Sequence, residues 1–277
     1  MLAAVVQLAC AGDKEANLGA AEAGIREAAT AGADLVVLPE KWPVLGGDGE
    51  TLAGAESLDG PAMRMCSRLA AEFSIDLVSG SFAESREGHE RLGNTVAHFD
   101  PQGRMRAVYR KIHLFDADIA DRRYRESDIF EPGEGPVLTH LADGAVAGLL
   151  ICFDIRFPAL AANLAANGAE VLCVSAAFTR ETTEAHWESL LRARAIETGC
   201  HVVAANQCGL DGAGQPTGGR SMIVGPDGGI LTELGSEDPG VVTAELDRSL
   251  RNQVREAMPL IELARPEASL TPLEASE

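Results

Sequence analysis

Val146-Ala147-Gly148-Leu149-Leu150-Ile151-Cys152-Phe153-Asp154-Ile155-Arg156-Phe157-Pro158 reads as a strand that ends on a thiol and turns sharply into an Ala-rich helix. Such a turn can hold a nucleophile out of the chain's own packing. Two other ionisable residues occupy similar places. Glu40 closes the apolar run Leu35-Val36-Val37-Leu38-Pro39, and Lys111 closes a strand-like segment ending Ala107-Val108-Tyr109-Arg110. A carboxylate, an ammonium and a thiol, each at a strand end, form a candidate site for acyl transfer through cysteine.

The same strand-to-helix rhythm runs outward from this stretch. Strands are expected at 2–8, 34–38, 75–80, 170–174 and 201–205, and helices at 14–30, 62–73, 158–167 and 184–199. Pro61 suits the first turn of the second helix. Hairpins interrupt the alternation. Asp100-Pro101-Gln102-Gly103 separates Thr95–Phe99 from Met105–Tyr109, Ala142-Asp143-Gly144 precedes the Cys152 strand, and Gly225-Pro226-Asp227-Gly228 separates Ser221–Val224 from Ile230–Glu233. Mixed hairpins and βαβ units argue for two sheets, each covered by helices on its outer face. Long connections at 39–58, 112–135 and 206–219 are candidates for function. One domain over 1–265 is expected, followed by an acidic tail with scattered proline at 266–277.

Composition narrows the chemistry. The chain has 277 residues, a formal charge of −19 and only 4% aromatics, so the core must be built from Ala, Val, Leu and Ile. The charge disfavours nucleic acid and anionic membranes as partners. No apolar run approaches the roughly 20 residues of a membrane helix, and Met1–Leu8 reads as a first strand rather than a basic leader. An anionic substrate would need a local basic patch, and seven of the chain's 23 Lys and Arg residues fall between Arg104 and Arg125, around Lys111. Six cysteines form no C-x-x-C pair and no metal-ligand spacing with histidine. Cys10, Cys173 and Cys200 read as small core residues. That pattern suits a reducing cytoplasm with one reactive thiol.

The thiol proton needs an acceptor. His113 and His186 are open as candidates, and a carboxylate is the alternative. In water, transfer from a thiol to a glutamate is uphill by about 4 pK units, or about 6 kcal/mol. Burial raises a carboxylate's pKa and a neighbouring ammonium lowers a thiol's, so both effects act to close the gap. The ammonium, with the backbone N–H of Phe153 just after the thiol, can also stabilise a tetrahedral oxyanion. Taken singly, the three residues have ordinary readings: an acid in a loop, a solvated lysine and a core cysteine.

The words around them resemble the nitrilase superfamily of carbon–nitrogen hydrolases. Leu35–Glu40 is similar to its first motif, Tyr109–Asp116 to its second and Gly148–Pro158 to its third, in order and spacing, with the likeness covering about residues 1–265. The resemblance implies an α+β, four-layer αββα sandwich, paired as a homodimer or higher homo-oligomer across a helix face, with no metal or organic cofactor. It implies Cys152 as nucleophile, Glu40 as general base and then acid, Lys111 as oxyanion stabiliser, and Glu126 as the second glutamate that positions substrate and lysine. Ser175–Glu197 and Ala204–Gly209 resemble the Nit-type amidases. That implies a small amide substrate of the ω-amide or deaminated-glutathione type, with Arg156, Phe178 and Thr182 near its carboxylate and Arg192 and Arg194 structural. N-carbamoyl hydrolysis and nitrile hydrolysis use the same site, and a catalytically silent scaffold is the reading from another class. Three positions depart from the pattern. Thr183 stands where glycine is common, Phe153 where tyrosine is common, and Lys41-Trp42 follow Glu40, with Trp42 expected to narrow the pocket and Lys41 to add a cation.

Overall fold

The computed structural model describes residues 1–119 and 122–265; the expected tail at 266–277 lies outside the described residues. The chain runs β1 (Leu2–Gln7), α1 (Lys14–Thr30), β2 (Leu35–Val37), α2 (Asp48–Gly54), α3 (Pro61–Phe73), β3 (Asp76–Glu84), β4 (Gly93–Phe99), β5 (Met105–Arg110), β6 (Asp116–Ile119) and β7 (Arg122–Arg125). It continues with β8 (Leu138–His140), β9 (Val146–Ile151), α4 (Pro158–Ala166), β10 (Val171–Ala176), α5 (Arg180–Thr182), α6 (Glu188–Thr198), β11 (His201–Asn206), β12 (Met222–Val224), β13 (Ile230–Glu233), β14 (Gly240–Glu245), α7 (Arg248–Ala257) and α8 (Leu260–Leu263).

Two six-stranded sheets result, ordered β14-β1-β2-β3-β4-β5 and β13-β12-β11-β10-β9-β8. The centre of each is parallel: β1, β2 and β3 in one, β9, β10 and β11 in the other. Strand alternation builds two cores. Ala3, Val5, Leu35 and Val37 face the second sheet, in one core with Leu149, Ile151 and Cys173. Ala4, Val6, Val36 and Leu38 point the other way, onto Ala21, Ile25 and Ala28 of α1 and Met63, Cys66 and Leu69 of α3. Helices α4 and α6 cover the outer face of the second sheet, so the layers are helix, sheet, sheet, helix, as expected.

Local signals fix several boundaries. Asp13 caps α1 by accepting from the Ala16 N–H at 3.1 Å. Pro61 opens α3, which ends on Ser74 in the left-handed region. The long connections are partly ordered: α2 fills the first, and the β6–β7 hairpin with a 3₁₀ turn at Glu126–Asp128 fills the second. Strand β14 returns to the first sheet and pairs antiparallel with β1 along its full length, Leu2 opposite Glu245.

Candidate active site

The parallel strands aim their carboxyl ends at one end of the sandwich. There Glu40 follows β2, Lys111 follows β5, and Cys152 follows β9 of the opposite sheet. The site is thus assembled across the two sheets. The backbone ties them locally: Glu40 N–H donates to Ala176 O, and Gln207 donates its side-chain amide to Glu40 O.

Lys111 is only 1% exposed and donates to Glu40 Oε1 at 2.9 Å and to Glu126 Oε2 at 2.8 Å. Asn94, the first polar side chain of β4, bridges the same carboxylates, donating to Glu40 Oε1 at 2.8 Å and Glu126 Oε1 at 2.9 Å. Glu40 Oε2 accepts from the Ala177 N–H, and Glu126 Oε2 from the Phe115 N–H. Lys41 adds an ion pair to Glu126 Oε1 at 2.9 Å and lies 4.5 Å from the Phe130 ring centroid. The four donors to Glu126 come from three stretches of chain, the turn after β2, strand β4 and the connection from β5 to β6, which fixes its carboxylate in one orientation.

Cys152 sits with φ at +47°, in the left-handed region that non-glycine residues seldom adopt. Asp154 braces this turn. It is 1% exposed, and its carboxylate accepts from the Ile151 N–H (3.0 Å), the Tyr109 hydroxyl (2.6 Å), the His113 N–H (3.2 Å) and the His113 ring (2.8 Å). Burial and the Asp154 carboxylate together hold the Tyr109 phenol well above its ordinary range. Arg194 anchors the next residue by donating to Ile155 O at 2.9 Å. Asp154 and Asn94 were not singled out in the sequence. Asp154, an acid between the apolar Phe153 and Ile155, carries a signal that could have found it, whereas Asn94, between Gly93 and Thr95, carries none that is local.

The electrostatics correct one expectation. Burial pushes the Cys152 thiol well up, the Glu40 carboxylate pushes it further, and Lys111 pulls it back only in part. The lysine does not hold a thiolate because its charge is already shared between two carboxylates. Lys111 stays firmly cationic: burial works against the charge, and Glu126 and then Glu40 more than restore it. Burial likewise opposes ionisation of Glu126, yet Lys111 and Lys41 hold its carboxyl well below the usual range.

A cavity of about 830 Å³ reaches this cluster and is lined by Glu40, Lys41, Lys111, Glu126 and Cys152 at its inner end. Phe153, Arg156, Phe178 and Thr182 also line it, as do Arg122 and Arg123 of the hairpin. The Arg156 guanidinium lies 4.9 Å over the Phe178 ring and donates toward His186 Nδ1 at 3.2 Å. Asn206 holds Phe178 in place, accepting from its N–H at 2.9 Å.

Three expectations change. The Cys152 thiol is not held exposed; the residue is 7% accessible, at the cavity's inner end. Trp42 does not line the cavity. It is fully buried in the core between the first sheet and its helices, and its indole donates to Ser79 O at 2.6 Å. The reason is Lys41, whose φ of +52° turns the chain so that Lys41 faces the cavity and Trp42 the core. The basic patch around Lys111 also divides. Arg104 and Arg106 pair with Asp100 and Arg110 with Glu84, whereas Arg122, Arg123 and Arg125 line the cavity, Arg125 while paired with Asp118. His113, bonded to Asp154 and stacked on Phe157, is not a cavity-lining base, nor is His186. Thr183 is buried against Gly218, where a Cβ would fall 2.0 Å from its hydroxyl, so the extra side chain at 183 is accommodated by the missing one at 218.

Among the described residues no group of His, Cys, Asp and Glu is arranged to hold a metal ion, and no helix is long and apolar enough to cross a membrane. Comparison with known proteins fits this geometry. The carbon-nitrogen hydrolase family model matches residues 2–256. The chain belongs to this family, and so is a hydrolase of carbon–nitrogen bonds other than peptide bonds. It is 38% identical over 274 residues to a mouse protein named deaminated glutathione amidase, covering 96% of this chain and 84% of that one. It is also 38% identical over 260 residues to the chloroplastic omega-amidase of Arabidopsis thaliana, covering 92% and 69%. The crystal structure of Saccharomyces cerevisiae Nit3, a member of branch 10 of the nitrilase superfamily, superposes with a TM-score of 0.85 at 29% identity over 96% of each chain.

Proposed function

We propose that this chain is a cysteine-dependent amidase that hydrolyses a terminal amide of a small carboxylic acid, of the ω-amide or deaminated-glutathione type, to carboxylate and ammonia. Cys152 attacks the amide carbon as its proton passes to Glu40. Lys111 and the Phe153 N–H bind the oxyanion. Glu40 returns the proton to the nitrogen as ammonia leaves, giving a thioester. Glu40 then takes a proton from water, the thioester is hydrolysed, and the thiol is restored. Glu126 holds Lys111 and the substrate in register. Arg156 over Phe178, on the wall of the cavity, receives the substrate carboxylate, with Thr182 beside it.

The observation that carries this reading is the convergence of Cys152, Glu40 and Lys111 at the inner end of one cavity that also has a guanidinium on its wall. Two relatives with amidase names support the reaction class. We also infer a reducing, cytoplasmic setting, in keeping with six unpaired, buried cysteines. A homodimer closing over the exposed apolar side chains Ile196, Met258 and Leu263 beside α6 and α8 fits the same reading.

The test is ammonia release from α-ketoglutaramate, α-ketosuccinamate, deaminated glutathione, N-carbamoyl amino acids and simple nitriles, with Cys152→Ala as control. Release from an amide that Cys152→Ala abolishes is expected. Arg156→Gln should raise KM by about tenfold to a hundredfold, the loss of one charge-assisted hydrogen bond, with a smaller change in kcat. Silence on every amide by the folded protein sinks the reading, and release from carbamoyl compounds or nitriles alone reassigns the substrate.

A further inference from the structure

Lys41 is an added charge at a crowded place. Without it, Glu40, Glu126 and Lys111 would put two carboxylates against one ammonium, all nearly inaccessible, beside a thiol that must shed its proton. With Lys41, two ammoniums balance two carboxylates. Its approach is specific. The backbone N–H donates to Ser81 Oγ at 3.0 Å, the side chain enters from the cavity at 21% exposure, and the ammonium meets Glu126 Oε1 at 2.9 Å over the face of Phe130. It bonds the oxygen of Glu126 that Lys111 does not use.

We propose that Lys41 is a positioning residue of the hydrolytic site: its ammonium holds Glu126 as an anion in its bonded orientation and leaves more of the Lys111 charge for the reacting carbonyl oxygen. The proposal rests on the roles assigned above to Cys152, Lys111 and Glu126. It has a clear electrostatic logic, because a lysine shared between two anions is a weaker oxyanion partner than one whose second anion is neutralised elsewhere. The low position of the Glu126 carboxyl, which Lys41 helps to maintain, agrees with it.

Lys41 pairs with Glu126 of the 3₁₀ turn, and the other titratable groups at this end of the cavity are Lys111 after β5, Glu40 of its own turn and Cys152 of the opposite sheet. Further out around the cavity stand Asp48, Asp128, Asp211 and the Tyr124 phenol, against Arg122, Arg123, Arg125 and Arg156. These outer groups are unchanged by substitution at 41, so a shift in the variant reports the inner cluster.

The experiment compares wild type, Lys41→Met and Lys41→Arg. For Lys41→Met we expect kcat on the best amide to fall by about tenfold to a hundredfold, the scale of removing one partner from a hydrogen-bonded charge. KM should change less, and the acid limb of kcat/KM should move toward higher pH as Glu126 loses an opposite charge. Lys41→Arg should restore the acid limb and most of kcat. A second readout does not require turnover: the pH dependence of Cys152 alkylation by iodoacetamide should move upward in Lys41→Met, because the cluster beside the thiol gains net negative charge. A folded Lys41→Met with wild-type kcat, acid limb and alkylation profile overturns the proposal. So does a variant that loses thermal stability while both pH profiles stay in place, which would make Lys41 a structural contact. If the wild type hydrolyses no amide, the function proposed above fails, and the alkylation profile alone decides the role of Lys41.

Discussion

Replacing Asp154 should cost stability and thiol reactivity together. Four donors converge on its carboxylate, two of them, the Ile151 N–H and the Tyr109 hydroxyl, in fully buried surroundings. In Asp154→Ala these two lose their acceptor with no water to replace it, at about 1–3 kcal/mol each, and the His113 contacts add a smaller amount. The expected loss is about 3–6 kcal/mol, a large part of the roughly 5–15 kcal/mol that holds a typical domain folded. Asp154→Asn keeps the shape and one acceptor, and the Tyr109 hydroxyl can rotate to accept from the new amide, so its loss should be about 1–3 kcal/mol. A chain of this size shifts by about 2 °C per kcal/mol, which places Asp154→Asn about 2–6 °C and Asp154→Ala about 6–12 °C below wild type. Thermal unfolding by circular dichroism with parallel urea titrations gives both values. Because Asp154 also holds the turn that sets the left-handed Cys152, Asp154→Asn should alkylate at Cys152 more slowly while still folded. An Asp154→Ala protein that melts with the wild type would refute the claim that this carboxylate braces the turn.

Two further predictions follow from burial. Burial pushes the thiols of Cys10 and Cys173 up to about 12 and that of Cys208 to about 11, and those of Cys66, Cys152 and Cys200 upward as well. A raised native pKa means the stability contribution is complete below the unfolded thiol pKa of about 8.5 and is lost as pH rises above it. Each thiol steepens the loss by about 1.4 kcal/mol per pH unit, so urea midpoints should hold between pH 7 and 8 and fall sharply by pH 9.5; a flat profile over that range contradicts the burial of the thiols. Trp42→Phe should lower stability by about 1–3 kcal/mol through the orphaned Ser79 carbonyl and lost volume, with KM unchanged. A KM effect larger than the effect on stability would return Trp42 to the cavity wall.

How much of this was legible in the sequence depended on the range of the interactions. The helices over 14–30 and 62–73, the hairpin around Asp100–Gly103 and the strand before Cys152 all follow from local periodicity and turn chemistry, and they stand within a few residues of their expected bounds. Strand β14 is a short β-branched run, Val241-Val242-Thr243, after the turn residues Pro239-Gly240, but that local signal does not say which strand it joins. Its place is set by pairing with β1 at the other end of the chain, and only the open edge of the first sheet calls for it. The site divides in the same way. Strand ends marked Glu40, Lys111 and Cys152, but nothing local told that Cys152 hangs from one sheet and the other two from its partner. Trp42 and Lys41 show the limit most clearly. Adjacent residues on an extended chain face opposite ways, but which of the two meets the cavity was decided by a left-handed turn at Lys41 that its residue type gives no reason to expect.

The charge balance of the cluster also bears on when the thiol loses its proton. Two carboxylates and two ammoniums leave little net field to favour a thiolate, and burial penalises it. On the proposed reading, Cys152 therefore rests as a thiol and its proton moves during attack. A base at the reacting atoms is then required, and Glu40 is the carboxylate held there, with Oε1 committed to Lys111 and Asn94 and Oε2 accepting from the Ala177 N–H. The arrangement also explains why burial of the thiol does not defeat catalysis. The negative charge that burial disfavours on sulfur is passed in the same step to the substrate oxygen, where the Lys111 ammonium and the Phe153 N–H await it. A preformed thiolate would draw the Lys111 charge to sulfur before substrate arrived. A resting thiol keeps that charge for the carbonyl oxygen, where it lowers the barrier rather than the ground state.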